Sequence, residues 1–154
     1  MKQSVTDPQI ADQLLIQSSD IEQMFVSLFD TMLMLPVETA ESGSTPNLEF
    51  LTASIEVTGD WNAEFHVAVD QPLSQNIAAA MFGLEAEELS DDEVLDALCE
   101  VVNVVGGNIK GVVDQECSLS LPRVSNLQWK QDWNGTFVNF QCENNQMVAL
   151  LQVK

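Results

Sequence analysis

Hydrophobic positions along the chain change period several times, and each change marks an element. Between about Asp20 and Leu35, Met24, Phe25, Leu28, Phe29, Met32 and Leu35 recur at helical spacing. Ser19 stands three residues before Glu22 and offers a capping box. Pro36 marks the exit, because the residue before a proline is pushed out of the α region. A weaker amphipathic piece, Ile10 to Gln17, precedes this helix. Glu41 to Asn47 is a loop by composition. Leu51, Ala53, Ile55 and Val57 then alternate with Thr52, Ser54, Glu56 and Thr58, the period-two pattern of a strand with one wet face. Gly59, Asp60 and Asn62 supply a turn, and Phe65, Val67 and Val69 continue the alternation as the second strand of a hairpin.

Pro72 to Phe82 reads as a short helix ending at Gly83. A second long helix starts at Ser90, which forms a capping box with Glu93. Asp91, Asp92 and Glu93 suit the positive end of its dipole. Val94, Leu95, Leu98, Val101, Val102 and Val105 carry its pattern onward to about Val113. Leu119 to Trp129, Gly135 to Cys142 and Gln146 to Val153 read as three further strands.

An internal repeat organises these elements. Asp60-Trp61-Asn62 recurs as Asp132-Trp133-Asn134, an offset of 72 residues that also lays Phe65 on Phe137, Ser18 on Ser90 and Asp20 on Asp92. Each half is a long helix followed by strands. The expected fold is therefore α+β, with duplicated helix-plus-strands units forming one mainly antiparallel sheet and two long helices side by side on one face. Residues 1–154 are expected to form a single domain.

Composition narrows the function. Five basic residues face 24 acidic ones, a formal net charge of −19. Nucleic-acid binding is disfavoured, because phosphate contacts need Lys and Arg, and so are anionic membrane surfaces. A partner with a basic patch would be drawn in, although an acidic surface also serves solubility alone. Polar residues follow Met1-Lys2, and no apolar stretch is long enough for a membrane span, so a cytoplasmic protein is expected. Cys99, Cys117 and Cys142 are odd in number and show no metal-like spacing; they are expected to be reduced thiols.

The familiar catalytic signatures are missing. His66 is the single histidine, and it falls in a strand, where a surface or hydrogen-bonded role is the ordinary one. No CxxC, HExxH, P-loop or GxSxG pattern occurs, and no nucleophile and base can be paired. Gly106-Gly107 is not followed by Lys-Ser/Thr. Gly106, Gly107 and Gly111 are expected to permit close packing against another helix, offsetting a helix cost of about 1 kcal/mol each. What remains is a ridge on the second long helix. Asp96, Glu100 and Asn103 share one side of it, and Gly107 leaves the next turn unobstructed. By itself this stripe fits the wetted face of an amphipathic helix.

Asp96-x-x-x-Glu100-x-x-Asn103 nevertheless resembles the [Asp/Ser]-x-x-x-Glu-x-x-Asn signature of the CheC/CheX/FliY chemotaxis phosphatases. The continuation Val104 to Gly111 is similar to the CheX-type extension of that helix, Ser118 to Val124 to the segment after it, and Phe25 to Leu35 to the family's first long helix. The resemblance runs from about residue 15 to 153. It implies a CheC-like fold and a phosphatase for the phospho-aspartate of a CheY-like receiver domain. Asn103 would hold the attacking water, and Glu100 would accept a hydrogen bond from the receiver's lysine. Asp96 would support the contact, and Gly107 would lie within it. The chain would need no cofactor of its own, because the receiver supplies Mg²⁺. Shifting Glu100 and Asn103 back by 72 residues lands on Leu28 and Thr31, so one site per chain is expected, as in CheX-like members, together with a homodimer. Two alternatives stand beside this: a non-catalytic receiver-binding or flagellar-switch adaptor on the same fold, and a structural protein whose acidic stripe merely faces solvent.

Overall fold

The computed structural model describes residues 15–40, 50–125 and 135–154. Most of the Ile10–Gln17 piece, the loop at 41–47 and the second Asp-Trp-Asn tripeptide at 132–134 lie outside the described residues.

The first helix, α1, spans Ser18–Leu28. It begins earlier than the Ser19–Glu22 box suggests, because Asp20 closes the first turn: its carboxylate accepts the Gln17 N–H at 2.8 Å. The chain then widens into a π-helical turn, Phe29–Leu33, and leaves it through Met34 in the left-handed conformation. The wider turn delays the apolar face by one residue. Leu33 becomes buried, and Met32, expected inside, is 46% exposed.

Short β1 (Glu38–Thr39) precedes the hairpin of β2 (Leu51–Gly59) and β3 (Ala63–Val69), which pair from Leu51↔Val69 to Val57↔Ala63. In the turn, Asn62 donates to the Gly59 carbonyl at 3.0 Å and accepts from the Gly59 N–H at 3.2 Å. Trp61 of the tripeptide is buried. Helix α2 (Gln71–Phe82) has Asp70 as its N-cap and Gly83, at φ +67°, as its left-handed end. Asp70 also accepts the Gln146 N–H at 2.7 Å, tying this helix to the far hairpin. A 3₁₀ turn (Ala86–Glu88) leads into α3 (Asp91–Val113).

After α3 come β4 (Cys117–Leu119), β5 (Arg123–Ser125), β6 (Thr136–Cys142) and β7 (Asn145–Val153). All the described strand pairings are antiparallel, in the order β1-β6-β7-β3-β2, with β4 and β5 both on the outer side of β2. The single strand expected from Leu119 to Trp129 is thus divided in its described part, and residues 126–129 lie outside the described residues. Val57 faces Leu119 but Ser54 faces Arg123, so the register slips by one residue, at the bulge that contains Leu121 and Pro122. Pro122 cannot donate to the ladder, and Ser120 instead closes it with Glu56: backbone to backbone at 2.9 Å, and through its hydroxyl to the Glu56 N–H at 2.9 Å.

The fold is α+β, with one antiparallel sheet and three α-helices among the described residues. One sheet face supplies Ile55, Phe65, Val67, Phe140, Met147 and Leu151 to the core beneath the helices. Phe25 of α1 reaches both halves of the sheet, with ring centroids 6.2 Å from Phe65 and 4.8 Å from Phe140. The other face is drier than its polar pattern suggests, since Thr52 and Ser54 are buried rather than wet. Phe65 faces the helices, whereas Phe137 points the other way and is 40% exposed. Phe65 lies in the second strand of its hairpin and Phe137 in the first strand of the other, so the offset of 72 does not carry through the strands.

Candidate functional site on helix α3

Helix α3 is specified from its first turn. Ser90 accepts the Glu93 N–H at 3.2 Å, and Glu93 accepts the Ser90 N–H at 3.0 Å. Its many valines are poor helix formers. Tertiary burial holds them helical: Val94, Leu98, Val101, Val102, Val105 and Ile109 all face the core.

The opposite face carries Asp96, Glu100, Asn103 and Gly107, all exposed. At about 3.6 residues per turn they fall within roughly 60° of arc, and Asp96 and Asn103 are separated by about 10 Å along the axis. No hydrogen bond or ion pair to another described residue holds Asp96, Glu100 or Asn103. An acid and a carboxamide thus stand free on a rigid helix. A carboxylate can only accept hydrogen bonds, whereas a carboxamide both donates and accepts. The positions 72 residues earlier cannot do this: Leu28, the last residue of α1, is buried, and in the π-helical turn the Thr31 hydroxyl donates to the Ser27 carbonyl at 2.7 Å.

The three helix glycines divide differently from expectation. None packs against another helix through its missing Cβ. A Cβ on Gly106 would lie 3.2 Å from Ile55 Cγ2 and 3.4 Å from Leu119 Cδ2, so this glycine seats α3 on the sheet. Gly107 and Gly111 face open space. Both border a groove of about 440 Å³ between α1 and α3, walled by Asp20, Gln23 and Ser27 on one side and Asn108 on the other. Sequence reasoning treated the three glycines alike; the strictly buried phase of Gly106 along the helix was the available signal.

Two potentially reactive side chains lie outside this ridge. Cys99 adjoins Glu100, but burial and the nearby Asp96 raise its pKa and keep the thiol protonated. His66 is buried on the reverse sheet face, with Nδ1 2.8 Å from the Ser54 hydroxyl and Nε2 3.5 Å from Glu64. Glu64 also accepts from Lys154 at 2.8 Å. Burial lowers the His66 pKa, with Glu64 opposing the shift. The unfolded chain therefore takes up the proton more readily, at a pKa of about 6.5. The stability this buried neutral imidazole contributes is present above that value and is lost as pH falls below it. Thermal unfolding of the wild type should thus move to lower temperature between about pH 7 and pH 5, and His66→Gln should flatten that slope. An unchanged slope in the variant would remove His66 as its source.

Comparison with known proteins then bears on the whole chain. The family model for chemotaxis phosphatase CheX matches residues 51–128, half of the sequence, including the entire ridge. A search of curated proteins found no match. Among solved structures, the chemotaxis protein CheX from Vibrio vulnificus is similar at 16% identity and a TM-score of 0.72, covering 88% of this chain and 97% of that one. CheX in a CheX-CheY-BeF3-Mg complex from Borrelia burgdorferi is similar at 12% identity and a TM-score of 0.70, covering 91% and 99%. The FliM middle domain from H. pylori is more distant, at 11% identity and a TM-score of 0.61, covering 97% and 93%. At these identities the structural neighbours show the CheC-like fold, while the family match extends across the exposed acid-and-amide ridge: the chain belongs to the CheX family of chemotaxis phosphatases.

Proposed function

We propose that this protein dephosphorylates the phospho-aspartate of a CheY-like receiver domain, with Asn103 and Glu100 as its working residues. The observation that carries the reading is the free, solvent-facing placement of both side chains on one arc of α3, inside the matched family region. Asn103 would accept a hydrogen bond from a water and donate one toward the phosphoryl oxygens, holding the water in line with phosphorus. The water oxygen bonds to phosphorus as the bond to the receiver's aspartate oxygen breaks. The aspartate leaves as a carboxylate, and the proton lost by the water departs with inorganic phosphate. Positioning and electrostatics supply most of the gain in such a transfer, so no nucleophile or base from this chain is required.

Glu100 would accept a charge-assisted hydrogen bond from a lysine of the receiver, fixing the complex and aiming Asn103. Asp96 would touch the edge of the same contact, and the bare Gly107 would let the partner approach the helix. The Mg²⁺ would arrive with the receiver and neutralise phosphoryl charge there. A homodimer working in the cytoplasm, with one site per chain, completes the proposal. A second reading, a non-catalytic receiver-binding adaptor, is favoured by the shared fold of the FliM middle domain.

The test is phosphate loss from phosphorylated receiver domains of the same organism, with and without this protein. Faster loss from at least one receiver supports the phosphatase. Binding with an unchanged phosphate lifetime favours the adaptor, and neither binding nor acceleration across all receivers sinks both readings.

A further inference from the structure

Asn103 can hold a water in line only if its helix stands at a fixed height above the sheet. Three positions further along, α3 carries a glycine that faces the sheet. Gly106 is the one glycine of α3 whose face is closed: Ile55 of β2 and Leu119 of β4 would sit 3.2 and 3.4 Å from an added Cβ. Its backbone is ordinary helix, so conformational freedom does not explain the glycine. Close approach does. Ile55 is itself clamped, because its neighbours on β2 are pinned on both sides. Ser54 bonds His66 at 2.8 Å, and Glu56 bonds Ser120 backbone to backbone and accepts from Arg123 at 3.1 Å. The bulge that separates β4 from β5 keeps Leu119 in register with Val57, beside the same helix turn.

We infer that Gly106 is a positioning residue: by letting α3 rest on Ile55 and Leu119, it fixes the height and tilt at which Asn103 meets the phosphoryl group. This rests on the phosphatase reading and goes beyond it, since Gly106 is buried beneath the exposed ridge. A methyl group here lifts the helix by a few tenths of an ångström one turn from Asn103. Glu100 lies further from the lifted turn, and docking through it tolerates such a shift better than in-line geometry does.

The experiment is Gly106→Ala, read as a split between turnover at saturating receiver and affinity for the beryllofluoride-loaded receiver. Turnover should fall about tenfold, given that a misplacement of 1 Å can cost about 10²-fold. Affinity should stay within about twofold, and the thermal midpoint should hold, because alanine's better helix propensity offsets the crowding. The double variant Gly106→Ala/Ile55→Leu, which removes the facing branched methyl at nearly constant volume, should restore most of the turnover. Wild-type turnover in Gly106→Ala would overturn the inference while leaving the phosphatase reading intact. Parallel loss of affinity and turnover, or failure of the Leu partner to rescue, would also overturn it by showing a structural role alone. An inactive wild type would overturn the phosphatase reading and this inference with it.

Discussion

Replacing Asn103 with alanine should remove about 10²-fold or more of the receiver dephosphorylation rate while leaving association with the receiver within about twofold. The expectation follows from where Asn103 stands. It is exposed, it has no hydrogen bond to another described residue, and it lies outside the core that holds α3 in place. Its loss therefore costs the fold little, as surface substitutions away from caps and buried networks usually do. What disappears is a group that both donates and accepts, and alanine can do neither. Asn103→Asp is the sharper control. It keeps the size but only accepts hydrogen bonds, and it sets a negative charge against the phosphoryl oxygens, so it should rescue nothing. The measurement is phosphate release under single-turnover conditions, beside binding of the beryllofluoride-loaded receiver. Full activity in Asn103→Ala would refute its role as the water-positioning group. Loss of binding together with turnover would recast Asn103 as a docking residue.

Much of this site is legible in the sequence because α3 is locally consistent. The Ser90–Glu93 cap, the acidic first turn and the apolar period agree on one helix and one buried face. The exposure of Asp96, Glu100 and Asn103 follows from that phase. Elsewhere tertiary contacts overrode local pattern. Met32 fits the α-helical period, but the π-helical turn after Leu28 brings Leu33 into the core instead. A period of 3.6 cannot foresee that insertion. Thr52 and Ser54 alternate as a wet face should, yet both are buried, Ser54 against His66, because alternation shows which way a side chain points and not whether water reaches it. The β4–β5 bulge was hidden for a similar reason: Pro122 signals an interrupted ladder, but which partner strand absorbs the extra residue is a long-range fact. The glycines divide along the same line. Helix phase places Gly107 outside, whereas the contact that closes over Gly106 comes from Ile55, about fifty residues earlier in the chain.

Glu100→Ala should weaken association with the phosphorylated receiver by about 2–4 kcal/mol, roughly 30- to 1,000-fold in Kd. The carboxylate is exposed in the free protein and has no described counter-charge, so it meets a receiver lysine without first breaking an internal pair. Docking then desolvates the pair, which strengthens the attraction and also makes truncation costly, because the lysine is left buried and unmatched. Turnover at saturating receiver should fall less than affinity does, since Asn103 remains on the same helix and only its aim is loosened. Salt provides an independent check. The Debye length is about 10 Å at 0.1 M, so part of the attraction between this acidic chain and a basic receiver surface is screened as salt rises. The wild-type Kd should therefore rise with salt more steeply than that of Glu100→Ala. Glu100→Gln separates charge from shape: it retains an oxygen acceptor in nearly the same place, so it should bind more tightly than the alanine variant and more weakly than wild type. Titration of each variant with the beryllofluoride-loaded receiver at two salt concentrations measures both effects. Equal affinities for wild type and Glu100→Ala would remove Glu100 from the interface. The acid of the ridge would then be only a solvated residue beside Asn103, and docking would have to depend on Asp96 and the bare turn at Gly107.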